Sequence, residues 1–115
     1  MNAEAYVFGT LIATRTLTLG ANKKVTIRIG KPQRVKDEPH SYFCAYQIRG
    51  VGNDRMRRAG GVDAVQALQL VLEKIGIELH ALRKSAGEPL QWDGAITDDD
   101  LGFPLRPEIL AILKD

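Results

Sequence analysis

Hydrophobic and polar positions alternate along the first half of the chain, and the period then changes. Leu11, Ala13, Leu17 and Leu19 share one parity, while Thr10, Thr14, Thr16 and Thr18 share the other. This period of two, with β-branched residues on the wetter side, predicts a strand over 10–19. Arg15 sits on the apolar parity, so the strand must either bulge there or expose that end. Gly20-Ala21-Asn22-Lys23 is a turn signal, and Val25, Ile27 and Ile29 then alternate with Thr26 and Arg28. The two runs predict a β-hairpin. Residues 31–40 are polar and hold Pro32 and Pro39, which predicts a loop with a short edge segment near Gln33–Val35. In the run Ser41–Arg49, Tyr42, Cys44, Tyr46 and Ile48 face one way and Phe43, Ala45, Gln47 and Arg49 the other. Apolar surface on both faces marks a central strand. A glycine-rich turn over 50–54 leads to a fourth strand over Arg55–Ala59, short and very basic.

At Gly60-Gly61 the period switches. Val62, Val65, Leu68, Leu72, Ile75, Leu79 and Leu82 recur at intervals of three and four, which predicts a helix over 63–84. Asp63 with Gln66 three residues later is a variant of the capping box. Leu70, Val71 and Ile77 widen the apolar stripe, so this helix is expected to cover a sheet or enter a dimer interface. Gly76 lies inside it, where either another backbone packs closely or the helix bends. Beyond Ser85 the chain is irregular, with Trp92, Ile96, Leu101 and Phe103 as spaced apolar pins. Pro107 and Glu108 suit the first turn of a final short helix over 107–114. Strands followed by a helix predict an α+β fold: a four-stranded, largely antiparallel meander packed on one long α-helix, with an irregular C-terminal extension ending in a short helix.

Composition adds bounds. A length of 115 residues predicts one domain over 1–115, and a 44% apolar share with 26% charged residues matches an ordinary globular chain. The single cysteine excludes an internal disulfide and favours a cytoplasmic, reducing setting. No apolar run reaches a membrane span of about 18 residues. The N-terminal residues 1–6 show no basic region ahead of a long apolar stretch, so no signal peptide is expected.

The net charge of +2 conceals an asymmetry. Residues 1–60 carry 11 basic and 4 acidic side chains, a net of +7. Residues 61–115 carry 5 basic and 10 acidic, a net of −5. Attraction between the two halves of one fold is the simplest explanation.

Candidate chemistry is sparse. His40, Cys44 and His80 lack the spacing of a metal site, and the thiol reads as buried beside two surface histidines. Asp98-Asp99-Asp100 lacks the alternating ligands of a calcium loop and reads as a solvated loop or a cap for a turn near Leu101. No nucleophile, acid–base pair or phosphate loop is recognisable, so no catalytic residue, cofactor or metal is expected. Arg49, Arg55, Arg57 and Arg58, with Gly60 and Gly61, are the candidate contacts for an anion or a nucleic acid. Backbone N–H groups at a helix start attract anions, although Asp63 would already place a carboxylate there. Arginines on an edge strand also serve simply to discourage edge pairing. Phe43, beside Gln47 and Arg49, is the aromatic best placed for base stacking.

Arg28-Ile29-Gly30-Lys31-Pro32, the segment 42–48, the segment Gly60–Leu70 and Asp100-Leu101-Gly102-Phe103-Pro104 together resemble a family of small bacterial proteins classed as a domain of unknown function. The resemblance spans most of the chain and is most specific around Gly61–Leu70. It implies a bacterial, cytosolic origin and transfers no activity or binding residue. The leading expectation is a non-enzymatic protein-interaction module: a homodimer, an adaptor or an immunity-like protein. The alternatives are a weak nucleic-acid binder and a small-anion site at the start of the long helix. No membrane partner is expected.

Overall fold

The computed structural model describes residues 7–114. The N-terminal residues 1–6, on which the signal-peptide expectation rests, lie outside them. The elements run β1 (Leu11–Leu19), β2 (Lys23–Gly30), β3 (Gln33–Arg34), β4 (Tyr42–Arg49), β5 (Arg57–Gly61), α1 (Ala64–Ala86), β6 (Leu90–Gln91) and α2 (Pro107–Lys114). All strand pairs among the described residues are antiparallel, and α1 lies across one face, giving the α+β class. No helix among these residues is long and apolar enough to cross a membrane.

The four longer strands form the meander β1-β2-β4-β5. β2 meets β4 from Ile29↔Tyr46 onward, and β3 meets it at Gln33↔Phe43 and Arg34↔Tyr42. β5 also pairs with β4 across Tyr42–Tyr46, so it must occupy the opposite side from both. β3 therefore continues the line of β2 past Lys31-Pro32, where the proline cannot donate to a ladder. Sequence patterning does not show β6, because two residues are too few for a period. It pairs with β1 through Thr18↔Gln91 and Leu19↔Leu90.

Arg15 keeps its place on the apolar parity, opposite Ile27. The strand irregularity falls upstream, between Leu11 and Ala13, so Arg15 stays on the core side and half-buried. Its charge is met by the Gly102 carbonyl and by the faces of Trp92 and Phe103, 4.3 and 5.0 Å from the ring centroids.

The core joins Leu17, Leu19, Val25, Ile27, Ile29, Cys44, Tyr46 and Ile48 of the sheet to Ala67, Val71, Ile75 and Leu79 of α1. The buried helix row is thus 67/71/75/79, one position away from part of the stripe that the sequence presents. Leu68, Leu72 and Leu82 flank it half-buried, while Val62 and Val65 face outward at 59% and 65% exposure. The cause is a close approach at the helix start. A Cβ built on Gly61 would stand 2.5 Å from the Ala67 nitrogen. Two small residues let the first turn descend onto β5, and this orientation turns Val65 away. Asp63 caps the turn by accepting from the Gln66 amide at 2.8 Å, and the Gln66 side chain accepts from the Val62 amide at 2.8 Å.

α1 ends at Gly87 in the left-handed conformation, whose N–H bonds the Arg83 carbonyl. The chain then returns over the free flank of α1. Gly76 is buried there with Leu105 and Phe103 atoms 3.2 and 3.3 Å from a notional Cβ, so close packing explains the glycine. Trp92, Leu101 and Phe103 pin this strap, but Ile96 is 92% exposed and pins nothing. Arg106 grips Glu73 with two bonds of 2.9 and 3.2 Å.

The two adjacent glycines should respond oppositely to alanine. Gly61→Ala should cost about 1–3 kcal/mol through overpacking. Gly60→Ala meets only the Tyr42 carbonyl at 3.5 Å, so it should be neutral or stabilising by up to about 1 kcal/mol. Urea unfolding of both variants checks this, and equal losses would refute the close-approach account.

Candidate functional site

Four of the six expected contact residues come together. Arg55, Arg57, Arg58 and Gly60 line an open groove of about 550 Å³ along β5, closed on the helix side by Lys74 and Glu78 and completed by Met56. Register explains how one groove gathers them. Tyr46↔Arg57 and Cys44↔Ala59 put Arg57 and Ala59 on the face that α1 covers, while Ala45↔Arg58 and Phe43↔Gly60 put Arg58 and Gly60 on the other. The groove therefore wraps around the outer edge of β5.

Its inner wall is a polar network. The Tyr46 phenol, with no exposed surface, donates to Glu78 Oε2 at 2.8 Å. Arg57 holds Glu78 Oε1 at 2.8 Å. Burial pushes the Tyr46 phenol above its ordinary range, the Glu78 hydrogen bond and charge push it further, and Arg57 opposes them. The phenol therefore keeps its proton at neutral pH and remains a donor. One turn earlier on α1, Lys74 donates to the Arg58 carbonyl at 2.9 Å, with its Nζ 5.9 Å from the Tyr46 ring centroid. A second hollow, of about 300 Å³ and lined by Ile48, Val51, Ala81, Leu82 and Ser85, shares the Arg57–Glu78 wall.

The other two expected residues lie elsewhere. Arg49 ends β4 on the face away from α1 and sits 4.0 Å from Asp54. Gly61 is consumed by its contact with Ala67. Gly60 and Gly61 belong to β5 rather than to a loop before the helix, and the Asp63 carboxylate occupies the first turn of α1. Phe43 is only 3% exposed, which leaves it no free ring face for a base. Lys74 escaped sequence reasoning. The one available signal was its place one helical turn before Glu78, which has meaning only once β5 is known to lie beneath.

The remaining reactive groups are structurally engaged. Cys44 is fully buried and donates to the Gly30 carbonyl at 3.1 Å, and burial pushes its thiol up from 9.0 to about 11. His80 is not at the surface as expected. It is 5% exposed, with Arg83 3.0 Å from its Nδ1. Arg83 also reaches the Asp98 carbonyl and Asp99, and Asp100 accepts from the Gly102 amide at 2.8 Å, so the acidic run organises a turn. Among the described residues no group of three potential ligands could hold a metal ion.

The chain belongs to the DUF6968 family, a domain of unknown function, whose model matches residues 13–105. The matched stretch contains every residue of the groove. No curated protein and no solved structure matches the chain.

The buried thiol has an alkaline consequence. The unfolded thiol ionises near 9.0 and the folded one near 11, so the folded state favours the protonated form. Stability should be full below about pH 9 and fall as pH rises toward 11, by on the order of 2–3 kcal/mol, with Tyr46 adding to the loss. Urea unfolding at pH 8 and pH 11 measures the drop. Rapid modification of Cys44 by a thiol reagent in the folded protein at pH 8 would contradict this account.

Proposed function

We propose that this chain is a single-domain, non-enzymatic interaction module that takes up an anionic stretch of another macromolecule in the groove along β5. The observation that carries the reading is the convergence of Arg55, Arg57, Arg58 and Lys74 on one open groove whose lining, among the described residues, holds a single acid, Glu78. That acid is already bound to Tyr46 and Arg57, and among the described lining residues basic side chains outnumber acidic ones four to one. Basic side chains around an open trough steer and hold an extended anion through charge-assisted hydrogen bonds.

The non-enzymatic part is supported by the state of the reactive groups. The thiol is buried and protonated, and the phenol is committed to Glu78. Of the apolar stripe that first suggested self-association, Val71, Ile75 and Leu79 are spent on the core while Val62, Val65 and Leu70 stay exposed and scattered, so charge is the more distinctive feature of the groove side. A free buried cysteine fits the cytoplasmic setting included in this proposal.

Fluorescence anisotropy with a labelled glutamate-rich peptide and a labelled single-stranded oligonucleotide, across a salt series, tests the reading. At least one of them should bind at low salt and weaken steeply as salt rises. The double reversal Arg55→Glu with Arg58→Glu should reduce that binding tenfold or more. Absence of binding by both anions at low salt overturns the proposal.

A further inference from the structure

We infer that the occupant of this groove is an extended acidic segment of a partner protein, added to β5 as a further strand; the inference rests on the anionic-partner reading above. Backbone directions supply the first argument. The Ser41 carbonyl accepts from the Val35 amide, so odd-numbered residues of this part of β4 point toward β3, and Tyr42, Cys44 and Tyr46 point toward β5. Their partners Gly61, Ala59 and Arg57 point inward in turn, so the N–H and C=O groups of Arg58 and Gly60 face away from the sheet. Among the described residues β5 pairs with β4 alone. Its outer edge is a hydrogen-bonding template of the kind that strand addition uses.

Charge supplies the second argument. Lys74 lays its ammonium on the outward Arg58 carbonyl, and Arg55, Arg57 and Arg58 surround the same edge. A second copy of β5 would bring arginine against arginine, so the edge rejects its own kind. An acidic strand reverses both effects. A carboxylate takes up the Lys74 ammonium, which frees the Arg58 carbonyl for an incoming N–H, and the arginines meet opposite charge. Because the basic groups lie on both faces of β5, acidic residues of either parity in the incoming strand find a partner. Exposed Gly60 presents no side chain to obstruct the approach.

Shape supplies the third. β5 has five residues, so it accepts a segment of roughly five residues, about 17 Å long. A nucleic acid would satisfy the cations but has no alternating donors for the strand edge. The buried Phe43 also removes the stacking surface that such a ligand would use.

The test uses the full chain and three labelled probes: an alternating glutamate–valine peptide of roughly seven residues, the same peptide N-methylated on alternate backbone nitrogens, and a single-stranded oligothymidylate. The unmodified peptide should bind, and N-methylation along the edge that faces β5 should weaken it tenfold or more. Amide exchange at Arg58 and Gly60 should slow on peptide binding. Gly60→Pro, which removes an outward N–H, should reproduce the loss, with its thermal midpoint reporting whether the fold survives. If that variant unfolds, the N-methylated peptide still decides. Equal affinity for both peptides overturns strand addition and leaves the anionic groove standing. Binding of the oligonucleotide alone overturns the peptide occupant, and binding of no probe overturns both readings.

Discussion

A phenol buried in a sheet must find an acceptor, and here the acceptor comes from the helix. Tyr46 lies at the centre of the core with its hydroxyl on Glu78, and the same carboxylate holds Arg57. Leaving that hydroxyl or carboxylate unpaired would cost about 1–3 kcal/mol or more, so the contact fixes how far α1 slides along β4 and β5. The rest of the groove follows from this registration. Lys74, one turn before Glu78, is delivered over β5, where its ammonium meets the Arg58 carbonyl. Arg57 reaches Glu78 because it is the register partner of Tyr46. The Gly61–Ala67 approach sets the height of the helix and the Tyr46–Glu78 bond sets its position along its axis.

The charge asymmetry between the halves has a more local resolution than mutual attraction. Lys23–Glu88 and Arg57–Glu78 do cross the divide. Much of the acidic half, however, is used within itself. Asp63 caps α1, Asp99 meets Arg83, Asp100 shapes the turn at Gly102, and Glu73 holds Arg106. Of these, the Asp99–Arg83 and Glu73–Arg106 pairs fasten the strap to α1. Exposed pairs of this kind contribute only about 0–1 kcal/mol each, so the strap depends more on Leu101, Phe103 and the Arg15 sandwich. The two halves also meet without ion pairing, since Arg15 of β1 is held by a carbonyl and two aromatic faces from the C-terminal segment.

How much could be read from the sequence depended on whether a signal was local. The alternation in β1, β2 and β4 and the Asp63–Gln66 cap were legible because they depend on neighbours in the chain. The start of β5 was not. Arg55 and Met56 continue the basic run without being strand, and the Gly60-Gly61 break lies inside the pairing with β4. The helix face was read only in part, because Ala67 carries little weight in an apolar pattern yet marks the closest approach. His80 is buried because the strap covers the end of α1, a contact between distant segments. Arg55, Arg57, Arg58 and Gly60 could be named as a cluster, whereas Lys74 and Glu78 required the tertiary registration.

The network also divides the basic groups by task. Arg57 cannot turn fully toward a ligand without abandoning Glu78, and that would remove one of two partners from a carboxylate that must still accept the Tyr46 hydrogen bond. A partly buried ion pair of this type costs more to break on one side than it contributes when intact. Arg57 therefore acts as a wall that fixes the groove. In the proposed complex Arg55, Arg58 and Lys74 would meet the acidic partner, and Lys74 would link that contact to the strand edge, since its acceptor is the Arg58 carbonyl. In this proposal fold stability and partner choice would meet around Glu78 from opposite sides. The carboxylate holds the helix in place, and under the proposed strand addition the cation one turn away would leave the Arg58 carbonyl as the acidic segment arrives.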